Sequence, residues 1–317
     1  MKKILWIYAS SLNIKQIIGN SYQRFYSEID FVNEDDKKNI FKKIPDIECM
    51  INCPTNLFND NLFSIAKNIK WIHFGGAGVE KILINKLVNS NIVLTNGKII
   101  QGPEIADHAL ALILYFTRNI GSFLNKKKIF SRPLELNKKK CGIIGGGGVG
   151  LCIAEKLKSF GAKVRVFDDN LLPLLSFIDE FYDSTEILNK IDDLDIIISA
   201  APLTKYTENL MNRNFFNKLK KDSIIINVSR GKIINFNDLL ENKMYTKFKG
   251  IGLDVTDPEP LPINNILRKK NNVIITNHTA GLSEFNRYRS VELVFNNIKR
   301  YFAKRPLMNV VDKKKGY

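Results

Sequence analysis

Apolar and polar residues alternate along this chain in short blocks, and the blocks predict a strand–helix rhythm. Apolar runs at 3–8, 28–32, 47–52, 71–74 and 92–95 read as strands, and the stretches 57–68 and 79–88 carry helical spacing. The run at 71–74 ends in the glycine turn Gly75-Gly76-Ala77-Gly78. Strands alternating with helices predict a parallel, layered α/β unit. Residues 103–120 then read as one long apolar helix, with Pro103 in its first turn and Gly121 as its stop. A helix this apolar predicts burial on several sides, as in a connector between domains. From Lys140 onward, segments at 141–144, 151–160, 163–167, 185–190, 194–199, 215–218, 223–228, 236–241, 250–255 and 272–276 repeat the alternation of a doubly wound fold. A final amphipathic helix covers 283–302, and no internal repeat is visible.

Composition narrows the class. A length of 317 residues predicts two domains, and a 44% hydrophobic share excludes wholesale disorder. No apolar run approaches the ~20 residues that span a bilayer. The start, 1–8, reads as a buried strand and not as a signal peptide, because Ser10, Ser11, Asn13, Lys15 and Gln16 follow without a cleavage pattern. Cys49, Cys53, Cys141 and Cys152 form no C-x-x-C pair, so they read as buried thiols of a reducing compartment, with no metal site. The expected setting is the cytoplasm or an organelle matrix.

The net charge is +16, from 48 Lys+Arg against 32 Asp+Glu, and lysines gather in bursts at 126–128, 138–140, 220–221, 269–270 and 313–315. None is interleaved with stacking aromatics, so they read as solvated loop ends and not as a nucleic-acid surface. A positive field also favours anionic substrates and cofactors.

Two constellations carry chemistry. Gly145, Gly147 and Gly150 fit G-x-G-x-x-G between a predicted strand and a predicted helix. Gly145 makes the tight turn, Gly147 lets the backbone approach a pyrophosphate, and Gly150 lets helix and strand pack closely. The helix N-terminus offers N–H groups to the phosphates. Asp168, 18 residues after Gly150, closes the next strand. A carboxylate there accepts hydrogen bonds from an adenosine ribose and repels a 2′-phosphate, which favours NAD(H) over NADP(H). The second constellation lies at three later strand ends. Of the three histidines, His73 and His108 sit inside predicted elements and read as structural, whereas His278 follows an apolar strand. Arg230 and Glu259 hold equivalent places. Together they suit reduction of a 2-keto acid. Arg230 grips the carboxylate through two N–H bonds and polarises the keto oxygen. His278 donates the proton, and Glu259 bonds its other ring nitrogen.

These motifs resemble the D-isomer-specific 2-hydroxyacid dehydrogenases, a family that includes glyoxylate/hydroxypyruvate reductases and phosphoglycerate dehydrogenases. FGGAGVEKIL (74–83) resembles its substrate loop, GPEIADHALALIL (102–114) its inter-domain helix, CGIIGGGGVG its nucleotide turn, and APLTKYTENL (201–210) a cofactor-side motif. NVSRG, LDVTDPEPLP and NHTAG match its three catalytic motifs in order. The resemblance implies a Rossmann lobe inserted into a flavodoxin-like substrate lobe, with 1–100 and 283–317 forming the substrate lobe and 101–282 the NAD-binding one. It assigns Arg230, Glu259 and His278 to catalysis, and Gly76, Ala77 and Gly78 with Arg230 to substrate. It places Gly145, Gly147, Gly148, Val149, Gly150, Asp168, Ala201, Pro202, Thr207, Val228, Ser229, Asp254 and Gly281 along the dinucleotide, with Asp254 at the nicotinamide amide. It also implies a homodimer. The chain departs from the family pattern at Asp107, where Glu is usual, and at Asn277, where Pro is usual. Gly146 and Gly148 replace bulkier residues, and 125–140 lacks a frequent tryptophan. Asn52 and Phe74 stand where phosphoglycerate dehydrogenases commonly carry arginines, which favours glyoxylate or hydroxypyruvate over a phosphorylated acid. The alternatives are a phosphoglycerate dehydrogenase-like enzyme and a non-catalytic, NAD-sensing regulator of the corepressor type.

Overall fold

The computed structural model describes residues 3–9, 18, 20–124, 132–170 and 175–317. The lysine burst at 126–128 and Lys15 lie outside them. The chain divides into two compact units, Met1–Ile100 with Ser283–Tyr317, and Gln101–Leu282.

The first unit is built on β1 (Ile4–Tyr8), β2 (Ile29–Asn33), β3 (Cys49–Ile51), β4 (Trp71–Phe74) and β5 (Val93–Asn96). They pair in parallel in the order β2-β1-β3-β4-β5, the flavodoxin-like arrangement. β1 and β3, at the centre of the pairing, are unbroken apolar runs because both their faces are covered. Leu5, Ile7, Met50 and Ile72 point into one core, where Leu62 and Leu87 meet them. Ile4, Trp6, Cys49 and Trp71 point into the other, closed by Val291, Val294, Phe295 and Ile298 of the helix Asn286–Phe302. Phe295 is fully buried against Trp6 and Tyr22, a side chain whose burial stabilises by about 1.5–3 kcal/mol.

The second unit is built on β6 (Lys140–Ile144), β7 (Lys163–Phe167), β8 (Glu180–Tyr182), β9 (Ile196–Ser199), β10 (Ile224–Asn227), β11 (Gly250–Leu253) and β12 (Val273–Ile275). Their order, β12-β11-β10-β9-β6-β7-β8, is parallel throughout. The chain runs outward from β6 to β8, then returns to β9 beside β6, so the order reverses between β6 and β9. Ligands of such sheets bind at the carboxyl ends around this reversal. One face of the sheet is covered by the helices Gly102–Thr117 and Gly148–Ser159, through Ala109, Leu112, Ile113, Ile153 and Leu157. Phe215, Phe216, Leu239 and Leu267 cover the other. Burial within this unit therefore accounts for the apolar character of Gly102–Thr117. Both units are α/β, and the fold is two doubly wound parallel sheets.

Three predicted helices differ from those observed. The long helix ends at Thr117, because Asn119 adopts φ 56° and turns the chain before Ile120–Leu124; Gly121 lies inside that second helix. Residues 79–84 form turns, and only Asn85–Val88 is helical, since Ile84 is extended at ψ 155°. The stretch 57–68 holds the shorter helix Asp60–Ile65, started by Asn59, whose side chain accepts from the Leu62 N–H. Among the described residues no helix is long and apolar enough to cross a membrane.

Candidate active site

The dinucleotide loop follows β6. Gly145 has φ +98°, and a Cβ on Gly150 would stand 1.9 Å from the Gly145 carbonyl oxygen, so only glycine lets the helix start this close to the turn. The first helical bond runs from Leu151 N–H to Gly147 O, which leaves the preceding amides directed off the helix end. A Cβ on Gly147 would meet nothing within 4 Å, so the loop borders open space where a pyrophosphate fits. Asp168 follows β7 beside this loop. Its Oδ2 accepts from Gly146 N–H at 2.6 Å and its Oδ1 from Asn170 N–H at 2.8 Å. Asn170 Nδ2 also donates to Oδ1 at 3.0 Å, so of the about four acceptor positions of a carboxylate one is left for a ribose hydroxyl. Across the reversal, Ala201 and Pro202 follow β9, and Thr207 fastens their loop by donating to Pro202 O at 2.6 Å. Gly281 accepts from Gln101 Nε2 at 3.2 Å.

The strand ends β10, β11 and β12 carry the other group. Asn227, fully buried, closes β10 and shapes the next turn. Its Oδ1 accepts from Ser229 N–H and Oγ–H, and its Nδ2 donates to Arg230 O at 2.9 Å. Ser229 also bonds Ser199 at 2.7 Å, and Val228 is buried. Arg230 leaves this turn with Nη1 resting on Ser229 O at 2.8 Å. A Cβ on Gly231 would stand 2.0 Å from Thr256 O, so glycine is required where the Arg230 turn meets the loop after β11. Glu259 lies on that loop between Pro258 and Pro260.

Asp254, 2% exposed, is the hub of the last turn. Its backbone carbonyl accepts from His278 N–H at 2.8 Å. Its Oδ1 accepts from Thr276 Oγ–H at 2.6 Å and Thr279 N–H at 3.0 Å, and its Oδ2 from Ala280 N–H at 3.0 Å. The expected partner of this carboxylate is the nicotinamide amide; its described partners hold the turn. That turn keeps His278 at φ 54°, a left-handed conformation unusual for a residue with a side chain. His278 Nδ1 lies 2.5 Å from Glu259 Oε1, with both side chains about half exposed. A cavity of about 280 Å³ opens beside the pair, lined also by Thr276, Asn277 and Arg268.

Sequence alone missed Asn227 and Thr276, which shape the two turns. The signal for Asn227 was present, as one polar residue closing the apolar run 224–227. The other two histidines differ from His278. His73 is fully buried, bonds Thr95 Oγ1 at 2.9 Å, and is held down to about 4 by burial. His108 contacts Thr276 from the helix Gly102–Thr117. Gly76, Ala77 and Gly78 lie in the first unit after β4, where the Gly76 carbonyl accepts from Gly97 N–H and the Ala77 carbonyl from Asn96 Nδ2. Burial pushes the thiols of Cys49, Cys53 and Cys141 up to about 12, well above reactive values. Several lysines of the bursts are paired, among them Lys139 and Lys220 with Asp195 and Lys140 with Asp193. Among the described residues no group of three or more His, Cys, Asp or Glu is placed to hold a metal ion.

Residues 110–280 match the family model described as D-isomer specific 2-hydroxyacid dehydrogenase, NAD binding domain. The chain belongs to the D-isomer specific 2-hydroxyacid dehydrogenase family. It is 30% identical to glyoxylate reductase/hydroxypyruvate reductase of Homo sapiens, over 73% of this chain and 73% of that one. It is 29% identical to hydroxypyruvate reductase of Thermotoga maritima, over 82% of this chain and 86% of that one. The fold superimposes on a D-isomer specific 2-hydroxyacid dehydrogenase from Xanthobacter autotrophicus, solved with NADPH and MES, at a TM-score of 0.84, 23% identity and full coverage of both chains. Membership makes the chain an oxidoreductase of the hydroxyacid dehydrogenase type, with a domain for a nicotinamide dinucleotide.

Proposed function

We propose that this chain reduces a small, unphosphorylated 2-keto acid to the D-2-hydroxy acid, with hydroxypyruvate and glyoxylate as preferred substrates. The observation that carries the proposal is the 2.5 Å pairing of His278 Nδ1 with Glu259 Oε1 at the carboxyl end of the sheet. A carboxylate only accepts, so Nδ1 carries a hydrogen and Nε2 is the nitrogen left to exchange a proton with substrate. As imidazolium, His278 delivers the Nε2 proton to the keto oxygen; as neutral imidazole it takes that proton back from the hydroxy acid. Arg230 grips the substrate carboxylate with its planar fork and polarises the carbonyl. The dinucleotide, when bound, supplies or accepts the hydride at the substrate carbon. Gly145, Gly147, Gly148, Val149 and Gly150 hold its pyrophosphate, and Ala201, Pro202, Thr207, Val228, Ser229, Asp254 and Gly281 border the rest of it.

We infer a preference for NAD(H), because the Asp168 carboxylate opposes a 2′-phosphate electrostatically. For the first unit the proposal is anion binding by the amides of Gly76, Ala77 and Gly78. Asn52 and Phe74 support an unphosphorylated substrate, since neither offers a cation to a phosphate dianion. A homodimer in the cytoplasm is the expected setting by likeness to the family.

The test is a panel of hydroxypyruvate, glyoxylate, pyruvate and 3-phosphohydroxypyruvate with NADH and NADPH, run on the parent and on His278→Ala. The parent is expected to favour hydroxypyruvate or glyoxylate with NADH. His278→Ala is expected to lose about 10²–10⁴-fold in kcat at unchanged NADH affinity. A preference for the phosphorylated acid overturns the substrate class. Tight NADH binding without turnover favours the regulator.

A further inference from the structure

We propose that His108 is a positioning residue for the turn that carries His278, acting through Thr276 and Asp254. The proposal rests on the reductase reading above. His108 Nε2 lies 3.0 Å from Thr276 Oγ1, and Thr276 Oγ–H donates to Asp254 Oδ1 at 2.6 Å. A threonine hydroxyl has one hydrogen. Spent on Asp254, it leaves the oxygen as an acceptor, so His108 Nε2 carries the hydrogen and donates it. The result is a chain of donors, His108 to Thr276 to Asp254, all pointing at one carboxylate. His108 Nε2 also stands 3.5 Å from Asp254 Oδ1, which places the donor ring beside that carboxylate.

Asp254 is the group this chain orients. Its side chain and its carbonyl together bind the turn at Thr276, His278, Thr279 and Ala280. That clamp holds His278 in its left-handed conformation, which a non-glycine residue leaves when the surroundings stop enforcing it. The backbone sets where the His278 side chain starts, and the bond from Nδ1 to Glu259 sets the ring direction from there. His108, on the helix Gly102–Thr117 packed against the sheet, thereby fixes the far end of a network whose near end aims the proton donor. A histidine serves here better than an apolar residue because Thr276 needs a donor from the helix side.

The experiment compares the parent, His108→Leu, His108→Gln, Thr276→Val and the double variant His108→Leu/Thr276→Val, using hydroxypyruvate, NADH and amide hydrogen exchange at residues 279 and 280. Loss of one hydrogen bond sets the scale of the effect at about two- to tenfold. His108→Leu is expected to lower kcat by about that factor, to leave the NADH dissociation constant unchanged, and to speed exchange of the Thr279 and Ala280 amides. Gln places an amide N–H near the position of Nε2–H and is expected to restore both readouts. The double variant is expected to be no worse than Thr276→Val, because both residues act in one chain. Unchanged kcat and exchange in His108→Leu overturn the proposal. So does a joint fall of kcat, NADH affinity and melting temperature that Gln does not rescue, which marks a packing residue. If the parent turns over no 2-keto acid, the reductase reading falls, and exchange alone decides: faster in Leu and normal in Gln supports the clamp, and equal rates overturn it.

Discussion

Asp254→Asn separates two jobs for one carboxylate, holding the His278 turn and meeting the dinucleotide. Three donors converge on it, Thr276 Oγ–H, Thr279 N–H and Ala280 N–H, in a site where Asp254 is 2% exposed. Asparagine offers one acceptor oxygen and one NH₂. With its oxygen toward Thr276 and Thr279, the NH₂ faces the Ala280 N–H; with the amide turned over, two donors lose their acceptor instead. A buried N–H left unpaired costs about 1–3 kcal/mol. The surviving bonds also weaken, because a neutral acceptor replaces a charged one, by roughly 1 kcal/mol in total. The second unit is expected to lose about 2–4 kcal/mol, a fall in melting temperature of roughly 5–15 °C for a unit of its size. The turn is then free to leave the φ 54° conformation at His278, so kcat is expected to fall at least about tenfold while NADH still binds. Scanning calorimetry, steady-state kinetics and NADH fluorescence titration measure the three quantities. A variant that melts like the parent but binds NADH weakly refutes the clamp and returns Asp254 to the nicotinamide amide.

Two further outcomes are expected. Arg230→Lys is expected to lower kcat and raise KM together, because an ammonium cannot reproduce a two-point grip made in both ground and transition states; parent kinetics in steady-state assays would reduce Arg230 to a mere positive charge. Burial holds His73 down to about 4, below the ~6.5 of an unfolded chain, so the unfolded state takes up more protons between these values. Stability from this residue is complete above pH 6.5 and is lost as pH falls toward 4, by about 2 kcal/mol at pH 5. Urea midpoints at pH 7 and pH 5 are expected to differ less in His73→Asn than in the parent, and an equal difference in both removes His73 as the cause.

What was legible in the sequence is what depends on neighbours along the chain. The glycine loop is one case: the close approach of Gly150 to Gly145 spans five residues and leaves its mark as a spacing. The two-sided burial of both sheets is another, because a strand covered on both faces is an unbroken apolar run. Asn227 left a local signal of the same kind, with its partners Ser229 and Arg230 within three residues, yet it was missed because a polar residue closing a strand has no type that marks its role. The elements that were misjudged had the same local pattern as the ones expected. Val79, Ile82 and Leu87 are all buried as a helix would bury them, yet successive turns at Val79–Ile82 and Ile82–Ile84 bury them as well.

Illegible were the interactions whose partners meet only after folding. Asp254 reaches Thr279 and Ala280 across 25 and 26 residues, and His108 reaches Thr276 across 168. In the sequence His108 is a polar residue inside an apolar helix, and nothing local separates a histidine that fills space from one that donates a hydrogen bond. The sheet makes the difference, because β11 and β12 pair in register and bring Asp254 and Thr276 to adjacent strand ends. Residues that react can be recognised by type, since few side chains readily gain and lose a proton near neutral pH. Residues that aim them are ordinary threonines, asparagines and serines, and only their place in the folded sheet gives them that work.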